Sequence, residues 1–446
     1  DIALLGFKVA SNGSLAKYNL VDQTVDDFQD TSGVDASAST NETRDSSGKY
    51  YSGATSATGG TITTHGSYTV HSFLDSGANS LVLGGTGNAD ILMVSGGAGG
   101  GGNQGSGGGA GAFRTFATHA MVAATYTVTV GAGGAGGSAS GSAADKQGKD
   151  GGVSSISASG FSTLSLTGGG GGATEATDGN DSTDGSGGGA GYSTSTSPGT
   201  GGTYGNNGGN GVSSAPNWPT GGGGGAGAVG GTPGSGSAGG GPGGDGSQND
   251  YRTGVNVYYG GGGGGNGYDS NNDGAGGQGG GGAGKSGNTH SGQGVAGTAN
   301  TGGGGGSGGW TNGVGGAGGS GITVVRYTTG LFNSADNMTL VSTTTAAKSG
   351  LVPSKGDIVL TYTNGAGTTT LDTDVTAEIS ADGGSTWTAL ALGSEGSTGS
   401  HNIATSHDVT ISSTITAPYN MAYRIKTLNQ SASKTTRIQA VSLGWS

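Results

Sequence analysis

The chain has 446 residues, of which 111 are glycine and 7 are proline, with 16 basic and 28 acidic residues and a formal net charge of −12. No basic run exists, which argues against nucleic acid and anionic membranes as partners. The absence of cysteine excludes disulfides and thiolate metal sites, and no apolar stretch approaches the roughly 18 residues of a membrane span, so membrane insertion is not expected.

Residues 1–60 predict a short β arm. Apolar residues from Ile2 to Ala10 and from Tyr18 to Val21 are followed by a polar stretch rich in Asp and Ser that reaches Ser56. This segment has too little apolar surface to fold alone. We expect it to dock on a neighbour and to join the chain to other subunits of a particle or filament.

Residues 61–330 predict a glycine-rich domain framed by strands. Three strand-like runs, Tyr68–Phe73, Ser80–Leu83 and Asp90–Val94, precede the glycine tract, and a further run, Ile322–Tyr327, follows it. Gly and Pro make up about 26% of the chain, a level typical of disorder. However, β-rich segments such as Ala124–Val130 interrupt the tract and need a surface to pack on. We therefore predict that the tract is ordered.

The all-glycine runs predict polyglycine II helices. This left-handed conformation has about three residues per turn and no internal hydrogen bonds, so neighbouring helices can bond to each other on all sides. Only glycine permits backbones so close together. The runs that carry this prediction are Gly221–Gly225, Gly260–Gly265, Gly279–Gly282 and Gly302–Gly306.

Residues 331–446 return to an ordinary composition and predict an antiparallel β-sandwich. The seven alternating runs are Met338–Val341, Asp357–Tyr362, Val375–Ser380, Thr386–Leu390, His407–Ile411, Ala422–Lys426 and Ile438–Leu443. No amphipathic pattern of helical length appears. The predicted fold class is mainly β, with an N-terminal β arm, a β-framed polyglycine II bundle, a C-terminal sandwich and essentially no α-helix.

The middle of the chain resembles the glycine-rich domain of tailed-phage tail fibres and tip adhesins. The residues that carry the resemblance are His71–Phe73, Ile91–Gly97, Ala124–Gly134 and Gly319–Tyr327, in that order along the chain. The resemblance implies layers of polyglycine II helices whose connecting loops contact a host receptor. It also implies a location on a virion, outside the cell. In this chain a full sandwich follows the tract, so the tract need not be the distal tip.

The sequence offers no convincing catalytic, metal or cofactor site. Its six histidines lack a coherent Ser or carboxylate context, so no enzyme activity and no cofactor are expected. They are His65, His71, His119, His290, His401 and His407. The segment Asp269–Asp273 has the ligand spacing that opens a calcium loop, but the closing Glu is replaced by Gly280. An Asx-rich turn is the favoured interpretation, and calcium binding stays open.

Aromatic residues at the edges of glycine runs are the best candidates for a binding surface. Tyr and Trp combine a flat apolar face with a polar edge, which suits both sugars and proteins. The eight aromatics are Tyr192, Tyr204, Trp218, Tyr251, Tyr258, Tyr259, Tyr268 and Trp310. From these the predicted receptor-binding set is Asn217, Trp218, Tyr251, Tyr258, Tyr259 and Tyr268. Packing within the bundle or against a second subunit is the competing interpretation.

The sequence leaves two functions open. The first is a virion fibre or adhesin subunit, homo-oligomeric and expected to be trimeric, that binds a host-surface glycan or outer-membrane protein. The second is a structural subunit of an extracellular filament or capsid-decorating fibre. An ice-binding protein is a third class, but irregular loops and large aromatics disfavour the flat face that it needs.

Overall fold

The computed structural model describes residues 17–20, 23–52, 54–175, 177–193, 195–213, 217–234, 239–268, 273–285, 292–310, 312–411, 415–431 and 434–446. Strands account for 37% of the structure and helices for 1%, in several antiparallel sheets. This confirms the predicted mainly β fold. The chain divides into two compact units, one formed by Asp1–Ser56 with Asn333–Ser446 and the other by Ala57–Phe332.

The first unit is a β-sandwich. Its strands are β1 (Lys17–Leu20), β2 (Gln23–Asp26), β3 (Glu42–Arg44), β4 (Tyr50–Ser52), β5 (Ala54–Thr55), β17 (Ser334–Ala335), β18 (Thr339–Val341), β19 (Thr345–Ala346), β20 (Lys355–Ala366), β21 (Val375–Ser380), β22 (Thr388–Leu390), β23 (Gly393–Thr398), β24 (His401–Thr410), β25 (Asn420–Thr427) and β26 (Thr435–Trp445). One sheet has the order β1-β2-β26-β20-β24-β23, with β4 also pairing β26. The other has the order β18-β25-β21-β22, with β19 also pairing β25. Leu360 and Leu443 of the first sheet and Ile379 and Ile425 of the second are buried in one core, as period-two alternation requires.

The described part of the N-terminal segment belongs to the sandwich unit. β2 pairs with β26 from Gln23 opposite Gly444 to Asp26 opposite Val441. Phe28 and Tyr50 are buried in the sandwich core. The neighbour on which this segment docks is therefore the C-terminal part of its own chain, because backbone pairing to a long strand compensates for the segment's scarcity of apolar residues.

The second unit combines sheets with the glycine tract. Its elements are β6 (Thr61–His65), β7 (Tyr68–Phe73), β8 (Gly77–Leu83), β9 (Gly87–Val94), β10 (Phe113–Met121), β11 (Ala124–Val130), α1 (Ala143–Lys146), β12 (Ser154–Ala158), β13 (Phe161–Leu166), β14 (Ser247–Asn249), β15 (Val257–Tyr259) and β16 (Ile322–Thr328). The sheets have the orders β10-β9-β16-β7-β6, β13-β12-β11-β8 and β14-β15. The strands on either side of the tract are neighbours, since Val94 lies opposite Ile322.

The glycine segments form a lattice of three-residue helices, and residues 95–103 show its rule. Along this segment successive N–H groups donate in turn to three different neighbouring segments, and every third residue returns to the same neighbour. The donor and acceptor residues are Ser95 to Ala112, Ala98 to Gly109, Gly101 to Ser106, Gly96 to Gly152, Gly99 to Lys149, Gly102 to Lys146, Gly97 to Gly319, Gly100 to Gly316 and Asn103 to Gly313, with N···O distances of 2.8–3.0 Å. A period of three residues is that of polyglycine II and of no β-strand or α-helix.

The carbonyl groups of the same segment complete a sixfold packing. They accept from three further segments, in the pairs Gly134 to Gly97, Gly137 to Gly100, Gly169 to Gly96, Gly172 to Gly99, Gly305 to Ala98 and Gly308 to Gly101. Six neighbours around one helix leave no room for a side chain at the glycine positions of this segment. A Cβ built on Gly100 would overlap the carbonyl of Gly306.

The first residues of some glycine runs depart from the predicted helix. Gly260 and Gly302 have φ values of 73° and 68°, and Gly279 and Gly280 have values of 97° and 92°. These residues reverse the chain into the next helix, a conformation that glycine adopts without steric cost. The helical parts of those runs therefore begin one or two residues later than the sequence predicts.

A buried histidine, His71, makes the stability of the second unit depend on pH. The His71 side chain is fully buried; its Nδ1–H donates to the carbonyl of Gly59, and its Nε2 lies 2.7 Å from the hydroxyl of Tyr327. Burial lowers the pKa of His71 and raises the pKa of Tyr327 to about 12. The imidazole is thus neutral and accepts from the tyrosine hydroxyl.

We expect acid to destabilise this unit. The folded-state pKa of His71 lies below the unfolded value of about 6.5. The stability that this difference gives the folded unit is therefore fully present above about pH 6.5 and is lost as the pH falls below it. When unfolding binds one extra proton, the unfolding free energy changes by at most about 1.4 kcal/mol per pH unit. Unfolding free energies measured between pH 7.5 and 5.5 should fall for the wild type and stay nearly level for His71→Gln. Equal slopes for both proteins would contradict the assignment.

Candidate functional site

The glycine helices of the second unit have two different ends. One end meets the sheets, where Ser95 follows β9 and Gly321 precedes β16. The other, here called the distal end, comprises residues 103–105, 218–220, 266–268, 308–310 and 312–313. The distal residues are hydrogen-bonded neighbours, since the N–H of Asn103 donates to Gly313 and that of Gln104 donates to Gly309. Chain reversals at this end are the places where large side chains find room.

Four aromatic side chains meet at the distal end and form the distal aromatic cluster: Tyr192, Trp218, Tyr268 and Trp310. The ring centroids of Trp218 and Trp310 are 5.2 Å apart, and Tyr192 lies 6.0 Å from Trp218. Tyr268 meets Trp310 edge-on at 5.5 Å. All four side chains are half-buried. Each ring therefore exposes part of its surface to a ligand, and the rest of its surface packs against neighbouring groups.

Two fully buried polar residues tie together the segments that carry the cluster. The Thr220 hydroxyl donates to the carbonyl of Gly105 at 2.7 Å and accepts from the N–H of Asn266 at 2.7 Å. The Asn266 side-chain amide donates to the carbonyl of Gly308 at 3.4 Å. Trp218 lies two positions before Thr220, Tyr268 two positions after Asn266, and Trp310 two positions after Gly308. The hydrogen bonds that join Thr220, Asn266 and Gly308 therefore fix the relative positions of the three aromatic residues.

Backbone strain is concentrated at the same end. Trp218 has a φ of 33°, and Asn103, Gln104 and Asn312 have values of 50°, 59° and 57°. Such left-handed conformations cost non-glycine residues of order 1–3 kcal/mol, least for Asn, and bulky residues adopt them rarely. Trp218 is the bulkiest of these four residues, so its left-handed backbone is the least expected of them.

The titratable groups at this end of the helices include Tyr192 and the ion pair of Lys285 with Asp273. Burial, and the nearby carboxylate of Glu175, raise the pKa of Tyr192, so its phenol stays a hydrogen-bond donor at neutral pH. Lys285 and Asp273 form a partly exposed ion pair at 3.4 Å. The remainder of the segment Asp269–Asp273, where the sequence left calcium binding open, lies outside the described residues.

The other predicted binding residues lie at the opposite end of the helices. Tyr251, Tyr258 and Tyr259 belong to the β14–β15 hairpin, which packs on the sheet. Tyr259 is followed by the run that ends at Tyr268, and seven helical residues span roughly 20 Å. The six residues predicted from sequence therefore do not form one surface.

Tyr251 and Tyr259 are packing residues. Tyr259 is buried beside Val70 and Leu92. The Tyr251 ring lies 4.1 Å from the guanidinium of Arg326, which also pairs with Asp90 at 3.0 Å. Of the three, Tyr258 alone is exposed, at 37%.

Sequence reasoning omitted Tyr192 and Trp310 from the predicted set, although both lie at the ends of glycine runs. Asn217 and Trp218 are adjacent and both half-buried, and Trp218 and Tyr268 do fall into one cluster through Trp310. The run-boundary signal thus indicates aromatic side chains at helix ends, and their role in receptor binding stays a prediction. It does not say which runs lie side by side.

Neither metal ligation nor a membrane span is indicated in the part of the chain that the structure describes. It contains no group of three or more His, Cys, Asp or Glu residues placed to hold a metal ion. Within the same residues, no helix has the length and apolar character needed to cross a bilayer.

Comparison with known proteins gives one family. A family model described as a glycine-rich domain matches residues 74–328, which is more than half of the chain. This stretch contains the glycine helices, their framing strands β9 and β16, and all four members of the distal aromatic cluster. A search of curated proteins finds no match.

Proposed function

Because the chain belongs to the glycine-rich domain family, with the matched region holding the distal aromatic cluster, we propose that it is a non-enzymatic adhesin. The proposed ligand is a host cell-surface receptor, either a glycan or an outer-membrane protein. The proposed setting is a virion fibre outside the cell. The observation that carries the proposal is the gathering of four half-buried aromatic rings at the distal end of a rigid bundle.

The physical argument is one of preorganisation. Binding costs side-chain and loop entropy, and rings already fixed in position lose little more of it. The distal cluster is fixed below by the Thr220 and Asn266 hydrogen bonds and laterally by ring contacts. Trp and Tyr are also the residues that dominate measured binding energies at interfaces. A lattice of hydrogen-bonded glycine helices thus serves as a stiff support for a small adhesive patch.

The structural alternative has its own supporting observation. The rings of the cluster contact one another at 5.2–6.0 Å, so they could simply cap the bundle of a filament or capsid-decorating subunit. In both cases attachment to other subunits falls to the sandwich unit, into which the N-terminal segment is built. Homo-oligomerisation, expected as a trimer from the sequence, stays a prediction.

Cell binding separates the two functions. Fluorescently labelled protein is titrated onto intact cells of a panel of bacteria, some untreated and some pretreated with periodate or with protease. The adhesin proposal expects saturable binding to some strain that periodate abolishes for a glycan receptor, or protease for a protein receptor. Binding that is unsaturable throughout, or indifferent to both treatments, favours the structural alternative.

A further inference from the structure

Strand β6 is an open edge of the five-stranded sheet in the second unit. It pairs with β7 on one side and ends the strand order β10-β9-β16-β7-β6. Residues Thr61 to Thr64 are exposed, and Ile62 retains 48% of its accessible surface. Four consecutive β-branched residues on an exposed strand favour the extended conformation that pairing requires.

The hairpin geometry shows which backbone groups point outward. β6 and β7 are joined by the two residues Gly66 and Ser67, with His65 opposite Tyr68. In such a hairpin the flanking pair is hydrogen-bonded, and hydrogen-bonded pairs then alternate along the strand. The N–H and C=O groups of Thr61, Thr63 and His65 therefore face β7, and those of Ile62 and Thr64 face away from it. Nothing in the described chain lies beyond β6 in this sheet.

The other edges of the larger sheets in this unit are protected. At β10 the register shifts between Phe116 and His119, and Asp90 accepts the N–H of Thr118 there. At β8, Thr58 exchanges two hydrogen bonds with Val82. The pairing of β13 with β12 also contains a register shift. Bulges and covering segments are the usual devices against edge pairing.

By contrast β6 pairs regularly with β7 and contains no Pro, Gly, Lys, Asp or Glu. An edge without any of these devices is suited to pairing with another strand.

We propose that β6 pairs antiparallel with β6 of a second copy of the chain, about a twofold axis through Thr63. In this register the outward groups of Ile62 meet those of Thr64 of the partner subunit, and the reverse, which makes two hydrogen-bonded pairs. The side chain of Ile62 also packs against that threonine, because directly opposite residues of an antiparallel pair lie on the same face. No charged side chains oppose one another. The contact does not depend on the proposed adhesin function.

The symmetry and size of the contact set its expected properties. An isologous contact closes at two copies, so it produces a dimer and not the trimer expected from the sequence. Pairing of five residues buries less surface than the roughly 1,200 Å² of stable interfaces. The association should therefore be weak and concentration-dependent.

A cysteine introduced at the axis tests the register directly. The chain has no cysteine, and in a non-hydrogen-bonded antiparallel pair the Cα atoms are about 4.5 Å apart, within reach of a disulfide. Under mild oxidation Thr63→Cys should give a covalent dimer, whereas Thr125→Cys, at an exposed site on β11, should stay monomeric on a denaturing gel. Equal crosslinking of both variants, or none at Thr63→Cys, would overturn the proposed register.

Sedimentation of the full chain tests the interface without crosslinking. Thr64→Pro removes an outward N–H while leaving the bonds to β7 in place, and Ile62→Lys places a charge at the edge. Both should raise the dimer dissociation constant at least tenfold, whereas Val229→Lys, at an aliphatic side chain 62% exposed elsewhere in the unit, should not. A trimer, a wild-type monomer at the highest protein concentration that sedimentation allows, or dimers unaffected by Ile62→Lys would each refute the proposal.

Discussion

Replacing Gly304 with valine is expected to destabilise the glycine-rich unit by about 3 kcal/mol or more, because the new side chain has no space. A Cβ at this position would overlap the carbonyl oxygen of Gly108, which is backbone and cannot rotate away. The N–H of Gly304 donates to Gly261 at 2.8 Å, so any shift of the helix also strains that bond. Thermal unfolding followed by circular dichroism should show a melting temperature lower by roughly 10 °C.

Gly393→Val is the matched control for this substitution. Gly393 is an exposed glycine with no left-handed φ, and a Cβ added at this position would lie 3.8 Å from the nearest atom, the carbonyl oxygen of Thr405. Its melting temperature should stay within a few degrees of the wild-type value, since exposed substitutions without a clash usually change stability by less than about 0.5 kcal/mol. Equal melting of wild type and Gly304→Val would mean that the helices are not packed as a lattice.

The interrupting β-rich segments predicted that the tract is ordered, and the all-glycine runs then predicted its conformation, because an ordered run of glycines has few alternatives to polyglycine II. The framing strands were also readable, since Asp90–Val94 and Ile322–Tyr327 carry ordinary β patterns. The pairing of helices was not readable, because one all-glycine run presents the same surface as the next. The reversals at Gly260 and Gly302 were missed for the same reason: glycine occupies helix and turn alike.

In the sandwich unit, the sequence did not indicate strands that are held by backbone pairing and lack an alternating apolar pattern. β23 has no apolar residue and is fully exposed, so no alternation signals it, and it exists as an extension of its hairpin with β24. The strand β2 is short, yet all four of its residues are buried, and it pairs with β26 in the same sheet.

The sequence indicated which residue types stand at the ends of the helices, but it did not indicate which of them lie together. Aromatic residues at run boundaries did prove to be the large side chains of the bundle ends. Whether an aromatic lies at the distal end or against the sheet depends on the direction of each run and on partners distant in sequence. Tyr251 is an example, because its contact with Arg326 joins residues 75 positions apart.

Trp218→Ala is expected to weaken receptor binding about thirtyfold, the equivalent of about 2 kcal/mol for an aromatic anchor. Trp218 has two ring neighbours in the distal cluster, Tyr192 and Trp310. Tyr258→Ala is the control, since Tyr258 is a partly exposed aromatic of the same unit at the other end of the helices. Cell-binding titrations should separate the two variants, and equal losses or no loss for Trp218→Ala would contradict the assignment.

The backbone at Trp218 allows binding to be distinguished from folding. Its φ of 33° strains alanine as it strains tryptophan, whereas glycine accepts this conformation, so Trp218→Gly should be more stable than Trp218→Ala by about 1 kcal/mol. Both variants remove the indole and should lose binding equally. If binding instead follows stability across the two variants, Trp218 acts by packing the distal end. Equal binding losses at unequal stabilities identify the indole as part of the receptor contact.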